Sequence, residues 1–231
     1  MAKKKFVVLS GAGISQESGI KTFRDSNGLW ENHDIMEVAS PEGWKRNRSL
    51  VQNFYNLRRK QAQKCQPNEA HQILASLEKV FDVTIITQNV DDLHERAGSS
   101  QVIHLHGELG KAQSSKNPNL VYPLSHWEIK EGDLCELGSQ LRPHIVWFGE
   151  PVPKMEEAMN HALSADIFLV IGTSMQVYPA ASLIDFVPST SKKFLIDLQI
   201  PNYQLGKDVI CIEKKASEGM KLLESIILEE N

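Results

Sequence analysis

Short β-branched runs recur along the chain at Phe6–Ser10, Val83–Thr87, Val102–Leu105, Ile145–Phe148, Ile167–Ile171, Phe194–Leu198 and Val209–Ile212. Most are continuously apolar, and that property constrains the fold more than any other feature. A strand with one wet face alternates apolar and polar residues. A strand covered on both faces does not, and such cover is typical of parallel sheets flanked by helices. Helical spacing occurs between several of the runs. Asn68–Val80 sets Ile73, Leu74 and Leu77 on one face, and Lys154–Leu163 and Ser217–Leu228 repeat the pattern. The alternation predicts an α/β fold with a doubly wound, mainly parallel, Rossmann-like sheet.

Two stretches break the rhythm. Residues 28–65 contain no convincing strand and read as helices and loops inserted after the first glycine-rich turn, and residues 108–141 are polar and loop-rich. Both are expected to leave the main sheet and form a smaller helical and loop lobe. Residues 1–27, 66–107 and 142–231 then make the larger lobe of a single domain, which 231 residues suffice to build.

Several function classes are disfavoured at this level. With 25 Lys+Arg against 29 Asp+Glu the formal net charge is -4, unsuited to a general nucleic-acid binder. The longest aliphatic or aromatic run, Ile167–Ile171, has five residues, whereas a membrane-spanning helix needs about twenty. The apolar stretch behind the basic residues Met1–Lys5 stops at Leu9, so no signal peptide is expected. Cys65, Cys135 and Cys211 lie far apart and form neither a redox dithiol nor a zinc knuckle. Scattered thiols suit a reducing, cytoplasmic location. No oligomeric state is indicated, and a monomer suffices.

The polar motifs follow the strands, where an open α/β sheet places its ligand crevice. Gly11-Ala12-Gly13-Ile14-Ser15 follows the first run, and glycines there let the backbone and a helix N-terminus approach a phosphate. Gln16 occupies the third glycine position of the dehydrogenase fingerprint, and a tight turn without a ligand accounts for the motif equally well. Thr22-Phe23-Arg24-Asp25 offers an arginine for an anion and an aromatic ring to cover a planar group. Gln88-Asn89-Val90-Asp91-Asp92 can read a carboxamide or ribose hydroxyls, although capping by Asn89 or Asp91 is a common alternative. In His104-Leu105-His106-Gly107-Glu108 the histidines share a face, and His106 at the carboxyl edge suits a general base. His104 reads as a structural histidine. Gly172-Thr173-Ser174 is a second small-residue turn, and two such turns suit the two halves of one dinucleotide. Asp197 ends another strand, where a carboxylate accepts ribose hydroxyls and disfavours a 2'-phosphate.

Taken in order, GAGISQESGIKTFRD, TQNVDDLHERAG, VIHLHGE, LRPHIVWFGE and GTSMQVYPAASL resemble the sirtuins, the NAD-dependent protein lysine deacylases, from Phe6 to about Leu223. The resemblance implies that Gly11, Ala12, Gly13, Gly172, Thr173 and Ser174 hold the pyrophosphate and adjoining ribose of NAD, with Asp197 on the adenosine side. It places Phe23 and Arg24 over the reacting ribose. Gln88, Asn89 and Asp91 would bind ribose and nicotinamide, Asn89 and Asp91 also being catalytic, and His106 would be the base. Val146, Trp147, Phe148 and Gly149 would line the acyl-lysine channel and pair with the substrate backbone. The implied partner is an acylated lysine in a protein or peptide, and the implied products are free lysine, nicotinamide and O-acyl-ADP-ribose.

Two features refine the resemblance. Tyr55 and Arg58 are three apart on one helical face and match the Y-x-x-R pattern of sirtuins that accept succinyl-, malonyl- or glutaryl-lysine; a solvated basic face through Arg58-Arg59-Lys60 is the alternative. Sirtuins usually carry two cysteine pairs for a structural zinc, but residues 108–141 contain only Cys135, and Ser114 and Ser115 stand where the first pair is expected. No zinc or other metal is therefore expected, and packing through Leu120, Tyr122, Leu124 and Trp127 is expected to stabilise the lobe. The resemblance also leaves room for NAD-dependent ADP-ribosyl transfer, or for a silent module that binds NAD or ADP-ribose.

Overall fold

The computed structural model describes residues 2–21, 29–30, 33–200 and 208–229. The first half of the chain gives β1 (Lys5–Ser10), α1 (Ala12–Ser15), the two-residue strands β2 (Leu29–Trp30) and β3 (His33–Asp34), then α2 (Ile35–Val38), α3 (Pro41–Arg46), α4 (Arg48–Ala62), α5 (Glu69–Leu77), β4 (Asp82–Thr87), α6 (Leu93–Ala97) and β5 (Val102–His104). The second half gives β6 (Gly107–Ser114), β7 (Val121–Pro123), β8 (Leu141–Ile145), α7 (Met155–Leu163), β9 (Ile167–Ile171), β10 (Lys192–Asp197), β11 (Val209–Glu213) and α8 (Ala216–Glu229). A 3-10 helix at Ala180–Phe186 links β9 to β10.

Six strands form one parallel sheet in the order β11-β10-β9-β1-β4-β5. The chain builds outward from β1 through β4 and β5, then crosses back to β9 on the other side of β1. The order thus reverses between β1 and β9, and the crevice for a ligand opens at their carboxyl ends. Burial on both faces explains the unbroken apolar runs. Phe6 and Val8 of β1 pack into one layer with Leu74 and Leu77 of α5 and Met220 and Leu223 of α8. Their neighbours Val7 and Leu9 point the other way, onto Ala158 and Ala162 of α7 and Leu183 of the 3-10 helix. Among the described residues, no helix is long and apolar enough to cross a membrane.

The second lobe differs from the expected helices and loops. It contains an antiparallel sheet in the order β7-β6-β8, with a register shift between Gly107 and Ala112. β6 reads Gly-Glu-Leu-Gly-Lys-Ala-Gln-Ser, without a β-branched residue, so pairing overrides local propensity there. The strand expected at Ile145–Phe148 instead runs Leu141–Ile145 and ends where the apolar run begins. Pro143 sits opposite Ala112 on the edge strand β8, a position that spares a proline the loss of a ladder bond.

Packing through the four residues expected to hold this lobe is also corrected. Leu120, Tyr122, Leu124 and Trp127 are only half-buried; the apolar packing instead runs between Val51, Phe54, Tyr55 and Ala62 of α4 and Leu109, Ile145 and Trp147, with polar contacts beside it. Asn56 exchanges two hydrogen bonds with the Ile129 backbone, both at 2.9 Å. The buried Arg59 donates to the carbonyls of Leu109 and Trp127 and to Asn56 Oδ1. Burial pushes the Arg59 pKa down to about 10, still charged at neutral pH. The basic run 58–60 is thus not simply a solvated face.

Candidate functional site

Two glycine turns meet at the reversal point. Gly11 N donates to Ile171 O at 3.0 Å, and Gly13 N donates to Gly172 O at 2.7 Å. A Cβ on Gly13 would lie 2.7 Å from Gly172 Cα, and one on Gly172, at φ +64, would lie 2.3 Å from Ile14 N. The glycines therefore permit backbone-to-backbone packing of the two turns, and the resulting surface is a cradle with almost no side-chain bulk. Thr173 Oγ1 closes it from one side by accepting Gln88 Nε2–H at 3.1 Å. Gly172 N donates to Ile196 O, tying the second turn to the end of β10, where the buried Asp197 caps Gln199 N at 3.0 Å. Ala12 and Ser174 are half-buried beside the same turns.

The turn after β4 brings a second polar group to this point. Asn89 Nδ2 donates to Gly11 O and Ser15 Oγ, each at 3.1 Å, and Ser15 Oγ–H donates to Asp91 Oδ2 at 3.2 Å. Asn89, Asp91 and Ser15 are all buried. Burial pushes the Asp91 carboxyl pKa up, opposed by the Leu93 N–H and the Ser15 hydroxyl. Asp91 Oδ1 accepts Leu93 N–H at 3.2 Å, although the N-cap position of α6 is Asp92, so a local bond to the helix start and the cluster coexist on its two oxygens. Ser15 lay inside the first glycine motif, yet nothing in one sequence distinguished it from the residues around it.

His106 is half-buried at the mouth of this cluster, with Nδ1 3.0 Å from Gln88 O. A carbonyl only accepts, so Nδ1 carries the proton and Nε2 presents a lone pair. Burial lowers the His106 pKa, and the Gln88 carbonyl raises it less, so the ring is neutral at pH 7. His104, on the same face, is engaged on both nitrogens by Asn89 O and Glu95.

The segment Val146–Gly149 adjoins His106 through the main chain. Val146 N donates to His106 O at 2.9 Å, Phe148 N donates to Ala39 O at 3.0 Å, and Trp147 N donates to Glu150 Oε2 at 2.9 Å. All three amides are thus engaged within the chain. Phe148 and Gly149 are exposed, Val146 half-buried, and the buried Trp147 donates through Nε1 to Tyr55 Oη at 3.2 Å. Arg142 holds this segment. Its guanidinium lies 3.6 Å from the Trp147 ring centroid and forms a two-point pair with Glu150 at 2.8 and 2.9 Å. Tyr55 is fully buried, and that burial raises its phenol pKa. Arg58 lines a small recess with Ile20, Gln61, Ala62, Val90, Asp91 and Leu109. Arg58 is thereby set beside the Asp91 turn, while the Tyr55 hydroxyl faces Trp147.

Phe23 and Arg24 lie outside the described residues. In the smaller lobe, the Cys135 thiol donates to Ser114 Oγ at 3.3 Å and lies 3.1 Å from Ser139 Oγ, with the two hydroxyls 2.8 Å apart. Among the described residues no group of three or more His, Cys, Asp or Glu is arranged to hold a metal ion.

Comparison with known proteins converges on one family. Residues 11–179 match the Sir2 family. The chain is 55% identical over 228 residues to an NAD-dependent protein deacylase of Helicobacter pylori (strain ATCC 700392 / 26695), covering 98% of each protein. It is 50% identical over 230 residues to one of Bacteroides thetaiotaomicron, covering 97% of this chain and 98% of the relative. A solved Sir2 homologue–NAD complex is 38% identical with a TM-score of 0.88, covering 99% of this chain and 91% of the other. A Sir2 protein bound to acetylated peptide is 28% identical with a TM-score of 0.79, covering 99% and 93%.

Proposed function

Since this chain belongs to the Sir2 family, we propose that it is an NAD-dependent protein deacylase that removes acetyl and more acidic succinyl or malonyl groups from lysine. One observation carries the reading. A neutral histidine, His106, is bonded through Nδ1 to Gln88, whose side chain reaches Thr173 beside the glycine cradle, and through its own carbonyl to Val146 of the segment built around Trp147. Deacylase names on relatives that match over nearly their whole length support it.

The residues present fit the dinucleotide. Gly11, Ala12, Gly13, Gly172, Thr173 and Ser174 would hold its pyrophosphate and neighbouring ribose, Asp197 the adenosine ribose, and Gln88, Asn89 and Asp91 the nicotinamide ribose. Phe23 and Arg24 belong to the stretch assigned to cover that ribose. When bound, NAD supplies a ribose carbon that accepts the acyl oxygen as nicotinamide leaves, ending in O-acyl-ADP-ribose. This chain's part is to position and to move one proton. His106 Nε2 accepts it from a ribose hydroxyl, and the Gln88 carbonyl stabilises the imidazolium that results. The amides of Val146, Trp147 and Phe148 are already bonded, so an extended substrate pairing here would meet the segment's carbonyls.

Incubation with NAD and matched acetyl- and succinyl-lysine peptides, followed by mass spectrometry, tests the proposal. Nicotinamide release with peptide deacylation is expected. Release without deacylation would instead indicate ADP-ribosyl transfer, and NAD binding without release a silent module. Arg58 carries the acidic-acyl preference, since a guanidinium beside Tyr55 recognises a distal carboxylate by charge-assisted hydrogen bonds. Arg58→Met is expected to lower kcat/KM for the succinyl peptide by roughly 10- to 100-fold, the worth of about 1.5–3 kcal/mol, while leaving acetyl turnover within about threefold. Equal losses on both peptides would discredit the clamp.

The donor set around Cys135, one thiol and two hydroxyls bonded to each other, does not fit a structural zinc. Elemental analysis of the purified protein is expected to find zinc well below one equivalent, with the melting temperature unmoved by a chelator. A stoichiometric ion would refute this.

A further inference from the structure

The backbone of Asn89 is gripped on both sides, at its N–H and at its carbonyl, and both grips lead to adjacent residues of α6. Asn89 N donates to Thr87 Oγ1 at 3.0 Å; Thr87 Oγ1 accepts Ser10 Oγ–H at 2.9 Å, and Ser10 Oγ lies 2.9 Å from His94 Nε2. On the other side, Asn89 O lies 3.1 Å from His104 Nδ1, and His104 Nε2 lies 2.7 Å from Glu95 Oε1. The preceding carbonyl, Gln88 O, is the one that orients His106. Two histidines two residues apart thus bind consecutive carbonyls of one turn, and one of the two is the base.

Both partners of His104 are acceptors. A neutral imidazole has one N–H and would leave either Asn89 O or the Glu95 carboxylate without a proton, so the geometry calls for an imidazolium. Burial of the ring opposes this charge, but the Glu95 carboxylate outweighs it and the His104 pKa is raised. The groups facing the pair are Glu95 and His94 on α6, Asp91 and the Asn89 carbonyl on the turn, and Glu108 and Lys111 on β6.

We propose that His104 and Glu95 are a positioning pair for the deacylation proposed above, locking the backbone of Asn89 through its carbonyl so that the Asn89 side chain and the preceding Gln88 carbonyl, which orients His106, keep their aim. The pair does not touch the reacting atoms. It acts through the turn, and misaiming a base by a fraction of an ångström is enough to slow the reaction severalfold or more. The inference rests on the deacylase reading.

The sign of the pH effect is specific. In the wild type the raised pKa keeps His104 charged as the pH climbs toward neutral. Glu95→Gln removes the carboxylate, so burial prevails and the proton leaves at lower pH; the neutral ring can keep its Nδ1–H on Asn89 O but loses the charge that strengthened that bond. The ratio of variant to wild-type kcat is therefore expected to be near one at acid pH and to fall about tenfold as pH rises through neutral. The double variant E95Q/H104Q retains an amide donor for Asn89 O but no titrating ring, so its ratio to wild type is expected to stay flat with pH. Nitrogen NMR of the protein alone, without NAD or peptide, is expected to show both His104 ring nitrogens predominantly protonated at pH 6.5 in the wild type and one in E95Q. A neutral wild-type His104, or an E95Q loss that is absent or equal at every pH, would overturn the pair. Wild-type protein inactive on every acyl peptide would overturn the deacylase reading instead, and the NMR signal separates the two failures.

Discussion

His106→Ala is expected to cut deacylation by about 10²- to 10⁴-fold, the usual contribution of a general base, while NAD still binds within about threefold of the wild-type affinity. The affinity expectation follows from geometry. The His106 ring is bonded to Gln88 O, whereas the cradle is made by the main chains of Gly11, Gly13 and Gly172. The pH profile gives an independent check. Burial favours the neutral ring and lowers the pKa from 6.5, so the base is active above that lowered value and protonated below it. Wild-type kcat/KM should therefore rise with pH along an acid limb lying below pH 6.5 and be level at neutrality; the residual rate of His106→Ala should lack that limb. A loss under about tenfold, or an unchanged acid limb, would remove His106 from the role of base.

The parts legible in the sequence were those where one local property decides the structure. Continuous apolar runs can be satisfied only by cover on both faces, and β1, β4, β9 and β10 have it. Turns that need glycine, and polar residues placed just after a strand, mark the crevice because strand ends converge there. The illegible parts depended on partners distant in sequence. β6 is a strand only because β7 and β8 flank it. Arg59 looks like its exposed neighbours, yet it is buried because the carbonyls of Leu109 and Trp127 await it. Arg142 and Glu150 lie in the motif LRPHIVWFGE, but their joint hold on Trp147 depends on the turn that brings them together. His104 is hydrogen-bonded on both ring nitrogens, but spacing alone could not show that Glu95, nine residues earlier, supplies one of the partners.

Gly172→Ala is expected to be the most damaging small substitution in the cradle, and a matched control can separate its two causes. At φ +64 any residue with a Cβ bears a left-handed penalty of about 1–2 kcal/mol. The same penalty applies at Gly132, at φ +93, where a new Cβ meets nothing within 4 Å. Gly132→Ala therefore measures the conformational cost alone, expected to be about 1 kcal/mol. At Gly172 the Cβ additionally falls 2.3 Å from Ile14 N and 2.7 Å from Gly13 C, both backbone atoms that can yield only if the two turns move apart. Separation would break the Gly13 N to Gly172 O bond of 2.7 Å and open the cradle proposed to hold the pyrophosphate. Gly172→Ala is thus expected to cost about 3 kcal/mol, a fall in melting temperature of roughly 6–12 °C for a chain of this size, and to abolish measurable NAD binding even below that temperature. Equal stability losses in the two variants would mean that the close approach contributes nothing. Retained NAD affinity in Gly172→Ala would show that the packed glycine turns are not where the dinucleotide sits.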